Sequence, residues 1–154
     1  MAAEEGKKAP AFTLPADGGE TIRLSDFTGK KVVLYFYPKD DTSGCTKEAI
    51  GFRDAMRSIK ASGAVVIGVS KDSVASHDKF KKKHKLNFPL ASDEEVKVCD
   101  KYGVWVEKSM YGRKYMGIER ATFLIDEKGT IRRVWRKVKV PGHVEEVKAA
   151  IKSL

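Results

Sequence analysis

The sequence predicts an α/β fold, with a central mixed β-sheet flanked by helices and preceded by a short β-hairpin. Three observations carry this expectation. Two apolar runs, Val32–Tyr37 (VVLYFY) and Ala64–Ser70 (AVVIGVS), hold no charge and are rich in β-branched and aromatic residues, as strands buried on both faces are. Between them the apolar residues switch to helical spacing, with Ala49, Phe52, Met56 and Ile59 on one face. The chain then closes on an amphipathic stretch, His143–Leu154, whose Val144, Val147, Ile151 and Leu154 form a single stripe.

Taken in order, Phe12–Leu14 and Thr21–Leu24 are brief extended runs around Asp17-Gly18-Gly19, which reads as a hairpin. Ser25-Asp26-Phe27 and Gly29 turn the chain into the strand Val32–Tyr37. Pro38 stops that strand, and Asp40 to Gly44 supply turn and cap chemistry before a helix from about Thr46 to Ala61, closed by Ser62-Gly63. After the strand Ala64–Ser70 comes a basic helix over residues 74–85, with sparse apolar positions at Val74 and Phe80. Phe88-Pro89-Leu90 is a short extended piece, and Ser92 with Glu95 reads as a capping box for a helix through Tyr102. Residues 105–117 show no clear period and are expected to be an irregular surface excursion. Arg120–Asp126 and Thr130–Val138 are strands joined by Glu127-Lys128-Gly129. The succession matches the thioredoxin architecture with an N-terminal extension.

At 154 residues the chain is long enough for one domain with its own core, expected to span 1–154. With 42% hydrophobic and 33% charged residues it has a globular composition, and no run is long enough to span a membrane. The leader MAAEEGKKAP has no apolar signal core, so a cytoplasmic location is expected, or an organelle if a transit peptide has been removed. The net charge of +9 is concentrated in KFKKKHK (79–85) and RRVWRKVK (132–139). These read as solvated faces; no nucleic-acid motif accompanies them, and nucleic acid is not expected as a partner. His77, His84 and His143 lie in polar stretches without ligand spacing, so no metal or other cofactor is expected.

Two cysteines, Cys45 and Cys99, are too few for the disulfide framework of a small secreted domain. Cys45 falls where the buried strand gives way to a helix, in its first turn, where unpaired N–H groups and the positive dipole end favour an anion. Helix N-termini and nearby cations favour the nucleophilic thiolate over the thiol. Cys99, with Val96 and Tyr102, falls on the apolar face of a short helix. It is either a packing residue or a partner for Cys45, and pairing would require local unwinding; Gly51 in the first helix would ease such unwinding.

The segment YFYPKDDTSGCTKEA resembles the peroxiredoxins, whose motif P-x-x-x-T-x-x-C is met by Pro38, Thr42 and Cys45, with Glu48 matching a common glutamate. GIERATFLID resembles the family's late strand, which would bring Arg120 to the cysteine. Within the family the chain is most similar to peroxiredoxin Q, the bacterioferritin comigratory protein group, through YGVW and the short C-terminus. Two departures stand out: Ser43 where the group usually has proline, and Ile50 where many members carry a resolving cysteine.

The resemblance implies a thiol peroxidase acting on hydrogen peroxide and organic hydroperoxides. Cys45 would be the peroxidatic residue, cycling through sulfenic acid and re-reduced by thioredoxin or a small thiol. Arg120 would lower the thiol's pKa and donate to the peroxide, the Thr42 hydroxyl would donate to its distal oxygen, and the Gly44 and Cys45 amides would face it. Pro38 would shield the sulfur, Glu48 would orient Arg120, and Cys99 would be the remaining candidate for resolution. A monomer or weak dimer is expected. Two other classes compete. A thiol–disulfide oxidoreductase normally needs a second cysteine where this chain has Thr42. A non-catalytic basic binding or chaperone protein would use the positive patches alone.

Overall fold

The computed structural model describes residues 3–154. The long apolar run becomes strand β3 (Lys31–Phe36), between β4 (Ala64–Ser70) and β8 (Ala121–Ile125) in a five-stranded sheet. Strand β5 (Leu90–Ser92) closes one edge and β9 (Ile131–Trp135) the other, giving the order β5-β4-β3-β8-β9. β3, β4 and β5 run parallel, β8 runs antiparallel to β3, and β9 runs antiparallel to β8. The α/β, thioredoxin-like expectation is borne out. β1 (Thr13–Pro15) and β2 (Thr21–Arg23) form the expected N-terminal hairpin, with Leu14 opposite Ile22.

Because side chains alternate along a strand, β3 feeds two cores. Val33, Tyr35 and Tyr37 pack beneath α1 (Ser43–Ala61) and α4 (His143–Lys152). Val32, Leu34 and Phe36 pack on the opposite side against Phe12, Leu14 and the short helix α3 (Lys97–Lys101). Helix α1 buries Cys45, Glu48, Ala49, Phe52, Ala55, Met56 and Ile59, one continuous stripe. It starts at Ser43, earlier than the apolar spacing suggests, because the first turn is polar and leaves no periodic signal.

Three local expectations are corrected. Ser92 does not cap a helix: it pairs with Ser70 in β5, and its hydroxyl donates to Asp72 O at 2.6 Å. Asp93 organises the next turn instead, accepting from Val96 N through its carbonyl and from Cys99 N through its carboxylate. Residues 105–117 are not irregular; β6 (Trp105–Met110) and β7 (Arg113–Ile118) form a regular antiparallel hairpin. Its turn, Tyr111-Gly112, has positive φ at both residues, and tyrosine in place of asparagine or aspartate hid the turn signal. Gly51 serves close packing: a Cβ there would lie 3.0 Å from Val144 Cγ2 of α4. Among the described residues no helix is long and apolar enough to cross a membrane.

Candidate active site

The end of β3 and the start of β8 lie side by side, with Phe36 paired to Ala121. The chain leaving β3 toward α1 through Pro38–Thr42 and the chain entering β8 through Arg120 therefore meet at one end of the sheet. Arg120 is fixed on both flanks: Val138 N donates to its carbonyl, and Glu119 N donates to Val104 O.

Cys45, in the first turn of α1, is 2% exposed. Arg120 reaches over that turn, its Nη2 donating to Cys45 Sγ at 3.4 Å and its Nη1 to Glu48 Oε1 at 2.7 Å. One planar fork thus spans thiol and carboxylate, which a lysine ammonium could not do. Gly44 is there for room, since a Cβ on it would lie 3.1 Å from Arg120 Nη2. Burial pushes the Glu48 carboxyl up to about 7, against the opposing charge and hydrogen bond of Arg120. Thr42 precedes the helix, but its side chain does not cap it. Thr42 Oγ1 donates instead to Lys39 O at 2.9 Å, and its carbonyl accepts from Thr46 N. Pro38 is half-buried at the lip of a cavity of about 480 Å³ that reaches Lys39, Lys71, Trp105, Lys108 and Met116. The geometry brings Cys45, Gly44, Glu48 and Arg120 into contact, with Pro38 and Thr42 on the loop that leads into the same helix.

Cys99 lies elsewhere. It is fully buried in the core on the other side of the sheet, with Val98 and Tyr102. Burial, then the charge and hydrogen bond of Asp93, hold its thiol well above the ordinary cysteine range. Both cysteines are free.

A second cluster escapes sequence reading. Tyr37 Oη donates to Asp40 Oδ1 at 2.6 Å, Ser76 Oγ donates to Asp40 Oδ2 at 2.8 Å, and Asp40 N donates to Asp72 Oδ2 at 2.8 Å. His77, in helix α2 (Val74–His84), sits between Asp40 Oδ2 at 2.7 Å and Ala91 O at 2.9 Å. A carboxylate and a carbonyl can only accept, so both ring nitrogens donate and His77 is an imidazolium. Burial opposes that charge, but the hydrogen bond and charge of Asp40, with the Ala91 carbonyl, outweigh it and raise the pKa. The network pins the Pro38–Thr42 loop to α2. The histidines therefore do not all lie in solvent: His77 and His143 are both buried. The one sequence signal was the i, i+3 spacing of His77 with Val74 and Phe80.

Because its folded pKa is raised, the His77 contribution is fully present below the ordinary histidine pKa of ~6.5 and is lost as pH rises through the folded value. His77→Gln is expected to cost about 3 kcal/mol in urea unfolding at pH 6, since one partner of a buried pair is removed. The difference from wild type should shrink at alkaline pH. A constant difference across pH would show that the ring is neutral.

A buried helix-start thiol under an arginine, on a thioredoxin-like sheet, is an arrangement suited to thiol-peroxidase chemistry. Residues 6–134 match the model of the AhpC/TSA family, and the chain belongs to that family. It is 60% identical over 147 residues to a Coxiella burnetii protein named peroxiredoxin bcp, covering 96% of this chain and 97% of that one. It is 52% identical over 154 residues to peroxiredoxin Bcp of Bacillus subtilis, covering 100% and 98%. Among solved structures, a cysteine-to-serine variant of Xylella fastidiosa peroxiredoxin Q superposes with a TM-score of 0.94 at 41% identity, over 99% of this chain and 98% of that one. A Xanthomonas campestris bacterioferritin comigratory protein, described for its alkyl peroxide reduction activity, superposes with a TM-score of 0.89 at 44% identity, over 92% and 90%. The resemblance to the peroxiredoxin Q group is borne out. Among the described residues no group of side chains is arranged to hold a metal ion.

Proposed function

We propose that residues 1–154 act as one domain that reduces hydrogen peroxide and organic hydroperoxides through Cys45. The observation that carries this reading is the Arg120 fork, 3.4 Å from Cys45 Sγ and 2.7 Å from Glu48 Oε1. The Cys45 thiolate attacks one peroxide oxygen; the S–O bond forms as the O–O bond breaks. Both electrons of the broken bond leave with the second oxygen, which takes a proton and departs as alcohol or water. Arg120 supplies permanent positive charge to the thiolate and to the oxygens as charge moves between them. The Gly44 and Cys45 amides lack helical acceptors in the first turn and face the same anion. With its own proton given to Lys39 O, the Thr42 hydroxyl keeps lone pairs to accept the peroxide O–H and align it. Pro38 has no N–H to offer and shields the sulfur from water, and Glu48 orients Arg120.

The product is a Cys45 sulfenic acid. Cys99 is buried in the other core and Ile50 stands at the nearer resolving position, so the reductant is an external thiol. Thioredoxin or a small thiol reduces the sulfenic acid, releasing water and leaving a disulfide on the reductant. Two free cysteines suit a reducing cytoplasm, and the enzyme acts as a monomer or weak dimer.

Intact mass spectrometry after one equivalent of peroxide tests the cycle. The expected product gains one oxygen and is trapped by dimedone, and Cys99→Ser keeps most of the wild-type turnover with dithiothreitol. Loss of the two thiol hydrogens, with Cys99→Ser inactive under every reductant, would instead make Cys99 the resolving residue.

A further inference from the structure

The β6–β7 hairpin ends in a feature the fold does not need. Tyr111 occupies a left-handed position, φ 52°, at the hairpin tip and is 99% exposed. Asparagine or glycine would take that backbone without strain, whereas a bulky L-residue there is an outlier that asks for a reason. No packing within the chain repays it. Met110, 56% exposed, and Tyr115, 43% exposed, follow it on one face of the arm, and Met116, 49% exposed, lies on the other, so a thioether and a second aromatic ring share one exposed face behind the tip. Such residues anchor interfaces more often than they decorate free surface.

The arm also stands at the active site. Its Trp105, Lys108 and Met116 form one wall of the cavity whose other wall includes Pro38. Lys108 is lowered by burial and by the charge of Arg120, and is pulled the opposite way by Cys45, so it lies within the field of the thiol. The surroundings are mostly positive, and Glu119, the carboxylate that acts on Lys108, lies 3.1 Å from Arg136. Arg113 and Lys114 flank the tip, and Lys39 and Lys71 line the cavity together with Lys108. Of the nearby carboxylates, Glu107 lies 3.8 Å from Lys114, and Asp72 is held by Ser70 Oγ and Asp40 N.

We propose that the β6–β7 hairpin is the docking arm for the reducing partner, a protein thiol with an acidic rim around an apolar centre. This rests on the reading that an external thiol reduces Cys45. A second copy of this chain is disfavoured by charge, since it would bring a +9 surface against another. The partner seats its apolar centre on Tyr111, Met110 and Tyr115 and its carboxylates on Arg113, which shares that face, and on Lys114 around the tip. That places its thiol over the cavity that Pro38 lines, beside the loop leading to Cys45.

The test is steady-state peroxide turnover with an acidic thioredoxin as reductant, and in parallel with dithiothreitol, for the full chain and two variants. Tyr111→Asn, which suits the turn, is expected to raise the KM for thioredoxin about 10-fold. Arg113→Glu/Lys114→Glu is expected to raise it by a similar factor at low salt and by less at high salt. Turnover with dithiothreitol and the stopped-flow rate of Cys45 with peroxide should stay at wild-type values for both. An unchanged KM for thioredoxin in both variants would overturn the proposal. So would a wild-type dimer that dissociates on either substitution, which would give the arm to a second copy, or loss of binding to anionic vesicles with KM unchanged. If dithiothreitol supports wild-type turnover and thioredoxin does not, the docking proposal alone falls. If neither reductant supports it, the external-thiol reading falls too.

Discussion

Cys45→Ser is expected to abolish hydroperoxide consumption, leaving no rate above that of free thiol in solution, while the protein stays folded. The side chain is 2% exposed beneath Arg120, and a hydroxyl fills nearly the same space. It can still accept from Arg120 Nη2, so no buried donor is orphaned and the stability change should stay within about 1 kcal/mol. The chemistry does not survive, because an alcohol is not ionised near neutral pH and oxygen is a poor nucleophile toward peroxide oxygen. Stopped-flow mixing with hydrogen peroxide, alongside urea unfolding, separates the two effects. Retained peroxide consumption in a folded Cys45→Ser protein would remove Cys45 from the reaction.

Arg120→Lys should produce the next largest loss, a fall of about 10²–10³-fold in the rate of Cys45 with peroxide, the usual scale for removing one pre-organised donor. A lysine keeps the charge but cannot reach Cys45 and Glu48 at once in the fork geometry. Glu48 then loses a partner at 2.7 Å inside the core, which should cost about 3 kcal/mol in unfolding free energy. The pH dependence follows from the carboxyl's position, already pushed up to about 7 by burial. A carboxyl raised on folding contributes stability that is full below the unfolded value of ~4.3 and declines as pH rises through the folded one. Weakening the Arg120 contact should therefore deepen the decline between pH 4 and 8, and Glu48→Gln should abolish it. Adding Glu48→Gln to Arg120→Lys should restore much of the stability and none of the rate. Recovery of both would mean that Arg120 serves only to satisfy Glu48.

Much of this was legible in the sequence, for identifiable reasons. β3 and β4 declare themselves because strands buried on both faces need uninterrupted apolar residues, and α1 and α4 because each buries one stripe. The family motif pointed to Cys45, Thr42 and Pro38, and the resemblance of GIERATFLID to the family's late strand pointed to Arg120, which the structure brings to 3.4 Å from Cys45 Sγ. What stayed hidden was chemistry that depends on distant pairing. Asp40 read as turn chemistry because its partners, Tyr37, Ser76 and His77, lie on three different elements. The β6–β7 hairpin was missed because exposed strands carry little apolar alternation and its turn uses Tyr111-Gly112. The misplaced α3 start came from Ser92, whose hydroxyl was already committed to Asp72 O.

The two-core arrangement of β3 carries one more consequence, a matter of parity. Odd-numbered residues, Val33, Tyr35 and Tyr37, serve the reactive side, and even-numbered ones, Val32, Leu34 and Phe36, serve the inert side. Deleting one residue anywhere in that strand would exchange the two sets. Tyr37 would then point away from Asp40, the loop to α1 would leave from the wrong side, and Cys45 would arrive in the half of the molecule that holds Cys99. Conservative swaps of one β3 side chain for another of similar size should be absorbed. A change in the strand's length should not be, because the count of residues before Pro38 decides which side of the sheet reacts.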